Sequence, residues 1–371
     1  MNIKNNKDLT IFMPSLGVGG AETVVVRLIK GFVKKGISIN LILATNYGEL
    51  KKEIPREVNI IELKAKRATY SLFQLIQYLR KNKPKKILCH LQRANRLVLM
   101  AKLLSGVNTE VYIVDHTTIS TARKNYRLLE RLVIYFSYKL LYPKATQIIH
   151  VSQGAARDLE IALRLNKGSV KVIYNPVVDE EEIKKRSEIP HPWLKNNGIP
   201  VILAVGRLSE PKGFDILIEA FKFINDSIDV RLIILGEGPL RRSLEEQIKR
   251  LKIVDRVYMP GVVNNVYDYM KDANVFVLSS RWEALPTALI EAMACGCPVV
   301  STNCDNGPRE ILENGKYGRL VPVGDPLKLA YGIIDTLNQK YKNDEIVERA
   351  LYFSVENSVN KYLEVMKIRN N

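Results

Sequence analysis

No apolar run in this sequence reaches the roughly 18 residues that a membrane-spanning helix needs, because Lys, Arg, Asn or Gly interrupts each candidate. Residues Met1 to Thr10 carry Lys4, Lys7 and Asp8, and lack both an apolar signal core and a small-residue cleavage site. The expected location is therefore cytoplasmic. Cysteine is scarce: Cys89, Cys295, Cys297 and Cys304 form no regular framework, which excludes a disulfide scaffold and suits a reducing compartment. Cys295-x-Cys297 with Cys304 has no second pair and no suitably spaced histidine for a tetrahedral zinc site, so these are expected to be core or turn cysteines. There is no Gly-Lys-Ser/Thr, which removes a P-loop, and no short-period repeat or low-complexity tract.

The chain has 371 residues, 46% hydrophobic and 26% charged, a globular composition too long for a single core. Its charge is unusual. Residues 1–190 hold 33 Lys and Arg against 16 Asp and Glu, while residues 191–371 balance at 23 of each. The whole net charge of +17 therefore lies in the first half. Such asymmetry points to an anionic partner there, whether nucleic acid, a phospholipid surface or a phosphorylated acceptor, with solubility alone as the plain alternative.

Strand and helix patterns alternate. Strands are expected at Leu9–Pro14, Ile37–Ala44, Asn59–Leu63, Lys86–His90, Glu110–Asp115, Gln147–Val151 and Val170–Ile173, with helices at about Ala21–Lys35 and Ser71–Lys81 and an Arg- and Leu-rich one before Glu110. The second half repeats the plan, with strands at Val201–Val205, Val230–Leu235, Val257–Met259, Val275–Leu278 and Val299–Ser301 and helices at about Phe214–Ile224, Leu240–Leu251 and Thr287–Ala294. Tyr174-Asn175-Pro176 through Glu180–Glu188 to Pro190-His191-Pro192 has the prolines and mixed charge of a surface linker. The alternation implies two doubly wound α/β domains, whose ligands bind beyond the carboxyl ends of the strands.

Three segments carry chemistry. Gly17-Val18-Gly19-Gly20-Ala21-Glu22 lies between a strand and a helix, where glycines and free amides favour an anion. The second strand ends in Ala44-Thr45-Asn46-Tyr47 with no acidic residue, so a nicotinamide dinucleotide site is rejected. Gly206-Arg207 to Lys212-Gly213 follows a strand and offers a planar fork and a point charge to one diphosphate. In Arg281 to Ala294, Pro286 suits the first helical turn, leaving the Leu285 and Thr287 amides as an anion site. Glu283 precedes that helix, and Glu291 sits within it among Ala288, Leu289, Ala292 and Met293, a setting in which a carboxylate needs a partner.

The ordered set resembles the retaining GT-B glycosyltransferases of the large family-4 group that uses nucleotide sugars. The matching pieces are Gly19 to Glu22, Val151-Ser152, Asn175-Pro176, Gly206-Arg207-Leu208, Lys212-Gly213, Gly236-Glu237-Gly238-Pro239 and Pro260-Gly261. They continue with Glu283, seven residues, Glu291, then Ala292 to Val300, Gly307 to Ile311, and Gly318 to Asp325. The likeness spans nearly the whole chain and is strongest from Val201 to Asp325. It implies two Rossmann-like domains facing an interdomain cleft: residues 1–180 on the acceptor side, residues 190–350 binding the donor, and a helix at about 355–371 packing back on the first.

The resemblance also assigns roles. Arg207 and Lys212 would hold the donor diphosphate, helped by Gly206, Gly236, Glu237, Pro286 at the helix start and the Leu285 and Thr287 amides. Glu291 would bind ribose, Glu283 and His116 the transferred sugar, and Gly19 and Gly20 the diphosphate from the first domain. Ala284 stands where the family often has Gly, which narrows the sugar pocket. The chain has no Asp-x-Asp, the metal signature of the other main glycosyltransferase fold, and no metal or other cofactor is expected. The expected reaction moves a hexose or N-acetylhexosamine from a nucleotide diphosphate sugar, UDP-sugar favoured, to a glycan or polyprenyl-linked acceptor. A sugar-nucleotide epimerase of the same fold and a basic nucleic-acid-binding protein are the alternatives, although no RNA or DNA motif is visible. Basic residues interleaved with Leu, Tyr and Phe from Arg123 to Lys144 add an expected peripheral contact with an anionic membrane, on the inner face of the cytoplasmic membrane.

Overall fold

The computed structural model describes residues 7–17, 19–65, 68–116, 128–185, 191–195, 198–339 and 343–369. Val18 of the glycine loop, Thr117 after His116, and Glu188 and Pro190 of the expected linker lie outside them. So do Arg123, Lys124 and Arg127, together with the side chains of Leu128 to Leu132. The chain divides into two compact units, one running to Pro176 and resumed from Val355, the other spanning Val177–Ser354.

Each unit is a doubly wound parallel sheet, as the alternation implies. The first contains β1 (Leu9–Met13), β2 (Ile39–Leu43), β3 (Asn59–Glu62), β4 (Lys86–His90), β5 (Glu110–Asp115), β6 (Gln147–His150) and β7 (Val170–Val172). Their order is β3-β2-β1-β4-β5-β6-β7. The second holds β8 (Val201–Val205), β9 (Arg231–Leu235), β10 (Val257–Gly261), β11 (Val275–Leu278), β12 (Val299–Thr302) and β13 (Arg319–Val321), in the order β10-β9-β8-β11-β12-β13. Central strands such as β1 and β2 are buried along their length, because helices cover both faces. In each sheet the chain winds outward from its first strand, then returns to that strand's other side. The reversal falls between β1 and β4 in one unit and between β8 and β11 in the other, and opens a crevice at the carboxyl ends there.

The residues after Pro176 are not an exposed tether. Val177 and Val178 are buried, and both N–H groups donate to Phe353 O, at 2.9 and 3.1 Å. A short helix, Glu180–Lys184, follows, with Asp179 as its cap. Two adjacent valines prefer a buried extended path, and the charge begins only after them. The helix Val355–Met366 belongs to the first unit. It buries Val359, Tyr362, Leu363 and Met366, and its Ser358 Oγ donates to Tyr174 O at 2.9 Å. It packs on the helix Gly20–Lys34 where Gly31 permits close approach: a Cβ at Gly31 would lie 2.6 Å from Val359 Cγ2. β13 and the helices Val266–Asp272 and Pro326–Asn338 were not expected from the sequence; β13 is a three-residue strand, too short to show a period.

Candidate active site

The second unit gathers several expected residues at its strand reversal. β8 runs into Gly206 and Arg207, and the loop returns through Lys212 to Gly213. Gly213 has φ 61°, and a Cβ there would lie 2.3 Å from Ser279 O, so glycine lets the loop lie against the end of β11. Ser279 Oγ donates to Lys212 O at 2.9 Å, and Arg281 N–H donates to Pro211 O at 2.7 Å. The Arg281 guanidinium grips Asp215 with two bonds of 2.8 and 2.6 Å and also donates to Glu210 O. Those bonds hold the Asp215 carboxyl below its usual range.

Stapled in this way, the two loops bring Lys212 Nζ to 2.6 Å from Glu283 Oε1. Ser280 Oγ donates to the same oxygen at 2.7 Å, and Ser280 O is itself held by Thr302 Oγ1 at 2.6 Å. The Glu283 side chain is 11% exposed and that of Lys212 27%, so the pair is shielded from bulk water while the lysine stays reachable. Arg207, on the same loop, is exposed and has no ion pair or side-chain hydrogen bond among the described residues. The end of β9 braces this loop. Gly206 N–H donates to Leu235 O, Leu208 N–H to Glu237 O and Gly236 N–H to Gly261 O, at 2.8–2.9 Å. The Glu237 carboxylate pairs with Arg241, which also donates to Met259 O at 2.8 Å. Here Glu237 steadies the loop through its backbone and anchors Arg241 through its side chain.

The helix Thr287–Ala294 has the expected bounds, with its proline just ahead of the first turn. Pro286 is the N-cap, with φ −73° and ψ 98°, and Thr287 opens the helix. An extended cap suits proline equally well, since its missing N–H falls among groups without helical partners. No side chain caps this end, and the Leu285 and Thr287 N–H groups have no partner among the described residues. Glu291 is half-buried on this helix between Ile290 and Ala292. Burial pushes the nearby Cys295 thiol up to about 12, against Lys271 and with help from the Glu291 charge.

In the first unit, Gly19 is the extended N-cap of the helix Gly20–Lys34, with Glu22 folded against it and Gly20 open on its outer side. His116 lies directly after β5. Its Nε2 is 3.0 Å from Nδ1 of His90, the last residue of β4. His150 ends β6, so three of the chain's four histidines sit at the carboxyl ends of adjacent strands. Burial holds His90 well below its ordinary value, with His116 adding to the shift. His116 is lowered too, by burial first and then by His150. Beside them Asp115 is buried, accepts from Asn95 Nδ2 at 2.8 Å and Tyr142 Oη at 2.9 Å, and is pushed up to about 7 by burial, against those bonds.

Sequence reasoning missed Ser280, Asp215, Arg281, His90 and His150. A histidine at the end of three successive expected strands was a readable signal. The Asp215–Arg281 clamp was not, because it joins residues 66 apart in sequence through loop geometry alone.

Comparison with known proteins follows the same division. Residues 18–181 match the family model described as Glycosyltransferase Family 4, and residues 185–351 match Glycosyl transferases group 1. The chain is 32% identical over 353 residues to the Campylobacter jejuni N-acetylgalactosamine-N,N'-diacetylbacillosaminyl-diphospho-undecaprenol 4-alpha-N-acetylgalactosaminyltransferase, covering 90% of this chain and 93% of that one. A second C. jejuni protein, a GalNAc-alpha-(1->4)-GalNAc-alpha-(1->3)-diNAcBac-PP-undecaprenol alpha-1,4-N-acetyl-D-galactosaminyltransferase, is 26% identical, over 92% of each chain. Anabaena HepE, solved in complex with UDP, superposes with a TM-score of 0.77 at 21% identity, over 97% of this chain and 99% of that one, and shows the same fold.

The two loop cations should separate in a stability measurement. Lys212→Ala strips a shielded carboxylate of its cation and should lower the unfolding free energy by about 1–3 kcal/mol, the cost of an unpaired buried polar group. Arg207→Ala, at an exposed side chain, should stay within about 0.5 kcal/mol. Thermal unfolding of both variants measures this; an unchanged Lys212→Ala would mean that the pair with Glu283 is not formed in solution.

Proposed function

Because this chain belongs to the group 1 glycosyl transferases and shares the GT-B fold, we propose that it moves a hexose or N-acetylhexosamine from a UDP-sugar to a lipid-linked saccharide, with retention of configuration and without a metal ion. The carrying observation is the convergence of Lys212, Glu283 and Ser280 at the strand reversal of the second unit, with Arg207 exposed on the same loop and unpaired among the described residues. A diphosphate binds there by taking up charges the protein has already placed: the Arg207 fork, the Lys212 ammonium, and the Leu285 and Thr287 N–H groups at a helix start. The charge that develops as the sugar–phosphate bond breaks is then met by preorganised donors in place of a cation.

Glu283, next to Lys212, accepts from a hydroxyl of the transferred sugar, Glu291 accepts from the ribose, and His116 also contacts that sugar. Gly19 and Gly20 contribute backbone N–H groups to the diphosphate. The acceptor hydroxyl attacks the anomeric carbon on the face from which UDP departs. The C–O bond to phosphate breaks, and the hydroxyl proton passes to the leaving phosphate oxygen. A lipid-linked acceptor is supported by the C. jejuni relatives, whose names specify undecaprenol-diphosphate saccharides.

The first unit supplies a surface suited to such an acceptor. On the helix Leu128–Leu141, Tyr138 and Leu141 face the core, while Val133, Phe136 and Leu140 stand exposed at 62–68%. Lys139 and Lys144 flank this row, and the adjoining helix Gln92–Ser105 adds exposed Leu103 and Leu104. The helix thus packs in the core on one side and offers an apolar, basic-edged stripe on the other, the pattern of an interfacial helix. No helix among the described residues is long and apolar enough to cross a membrane. Peripheral contact with an anionic leaflet, at about 1 kcal/mol per Lys or Arg near the surface, fits both the stripe and the +17 charge of residues 1–190.

Two measurements follow. In calorimetry with excess EDTA present, UDP should bind the unmodified protein; Glu291→Gln should weaken that binding at least tenfold, and Glu283→Gln should leave it nearly intact while lowering turnover. Equal losses of UDP affinity would overturn the division of roles, and a strict metal requirement would remove the metal-free reading. In co-sedimentation, the protein should bind liposomes only when they contain anionic lipid, less so at high salt, and less after Phe136→Ser with Leu140→Ser. Indifference to anionic liposomes at low salt would remove the membrane contact.

A further inference from the structure

The pairing of His90 with His116 is not accounted for by the roles above. His90 is fully buried at the end of β4, its Nδ1 is 3.0 Å from His116 Nε2, and its own Nε2 is buried with no partner among the described residues. The Tyr362 ring packs 6.2 Å from it, centre to centre. The next residue, Leu91, has φ 76°, a left-handed conformation that leucine seldom adopts, so the backbone after His90 is held in place against its own preference.

Two imidazole nitrogens at hydrogen-bond distance share one proton. Burial keeps both rings on the neutral side, so each ring carries one N–H. Two arrangements are then available. If His116 Nε2–H donates, His90 must carry its proton on Nε2, leaving a donor buried without an acceptor. If His90 Nδ1–H donates, His90 Nε2 is a bare lone pair and no donor is orphaned. Buried orphan donors are rarer than under-used acceptors, which selects the second arrangement.

We propose that His90 is a positioning residue that fixes the tautomer of His116: His90 Nδ1–H donates to His116 Nε2, so that His116 keeps its own proton on Nδ1 and offers an N–H donor to an oxygen of the transferred sugar. The first half of this statement concerns the protein alone; the last clause rests on the assignment of His116 to the sugar. With this tautomer locked, His116 presents one fixed donor instead of alternating between donor and acceptor. The substrate chemistry it selects is a hydroxyl or carbonyl oxygen acting as acceptor.

The test uses the full chain with 15N-labelled histidine, where four imidazoles are assigned with the aid of His116→Asn. Long-range proton–nitrogen correlation at neutral pH should show both His90 and His116 protonated on Nδ1. A His116 carrying its proton on Nε2 in the unmodified chain overturns the proposal. His90→Asn places an amide N–H near the position of Nδ1; it should keep the His116 tautomer and retain turnover within about threefold. His90→Phe fills the same space without a donor. It should release His116 to a mixture of tautomers and lower kcat at least tenfold, with UDP affinity unchanged. If His90→Phe leaves the His116 tautomer as it was, the proposal is overturned. If the tautomer is released and kcat holds, the pairing stands and it is the contact of His116 with the sugar that fails.

Discussion

The strand reversal of a parallel sheet is the constraint on which both units depend. Every strand points its carboxyl end the same way, so every loop that follows a strand opens on one edge of the sheet. Where the order reverses, two such loops part and leave a crevice. In the second unit the loops after β8 and β11 flank that crevice, and the ion pair between Lys212 and Glu283 spans it. The pair depends on its supports. Gly213 lets the loop touch β11, the Asp215–Arg281 clamp fixes its far side, and Ser280 orients the carboxylate. A lysine held against a carboxylate is a charge already partly desolvated and fixed in place.

The first unit applies the same geometry to a different end. At its strand ends burial lowers His90 and His116 and pushes Asp115 up to about 7, with His150 buried at the end of β6. Burial disfavours charge on His90, His116 and Asp115 alike. The basic excess of residues 1–190 lies in the surrounding sequence, and exposed apolar side chains gather on the helices that pack beside β4 and β5. One unit brings an ion pair and an exposed arginine to its strand reversal, and the other gathers three histidines at its strand ends.

Much of this was legible in the chain. β4, β5, β8, β11 and the helix Thr287–Ala294 have the boundaries the hydrophobic pattern indicates, because short apolar runs bounded by Gly, Pro or charge admit few other readings. The loops bearing Arg207, Lys212 and Glu283 were identifiable from glycine spacing and from the order of the motifs. What the sequence did not reveal lies in contacts between distant segments. The Asp215–Arg281 clamp and the seating of Val177 and Val178 under Phe353 depend on tertiary approach, and no local period encodes that. Pro286 serves as the N-cap just outside the first turn, a position to which proline's missing N–H is indifferent.

The most direct test of the central claim is the anomeric configuration of the product. The purified chain is incubated with a panel of UDP-sugars and a polyprenyl-diphosphate-linked saccharide in the presence of EDTA, and the product is examined by proton NMR. The account predicts acceptor-dependent release of UDP and a new glycosidic linkage with the donor's anomeric configuration. A product of inverted configuration, or consumption of the UDP-sugar with neither UDP release nor a new linkage, would contradict it.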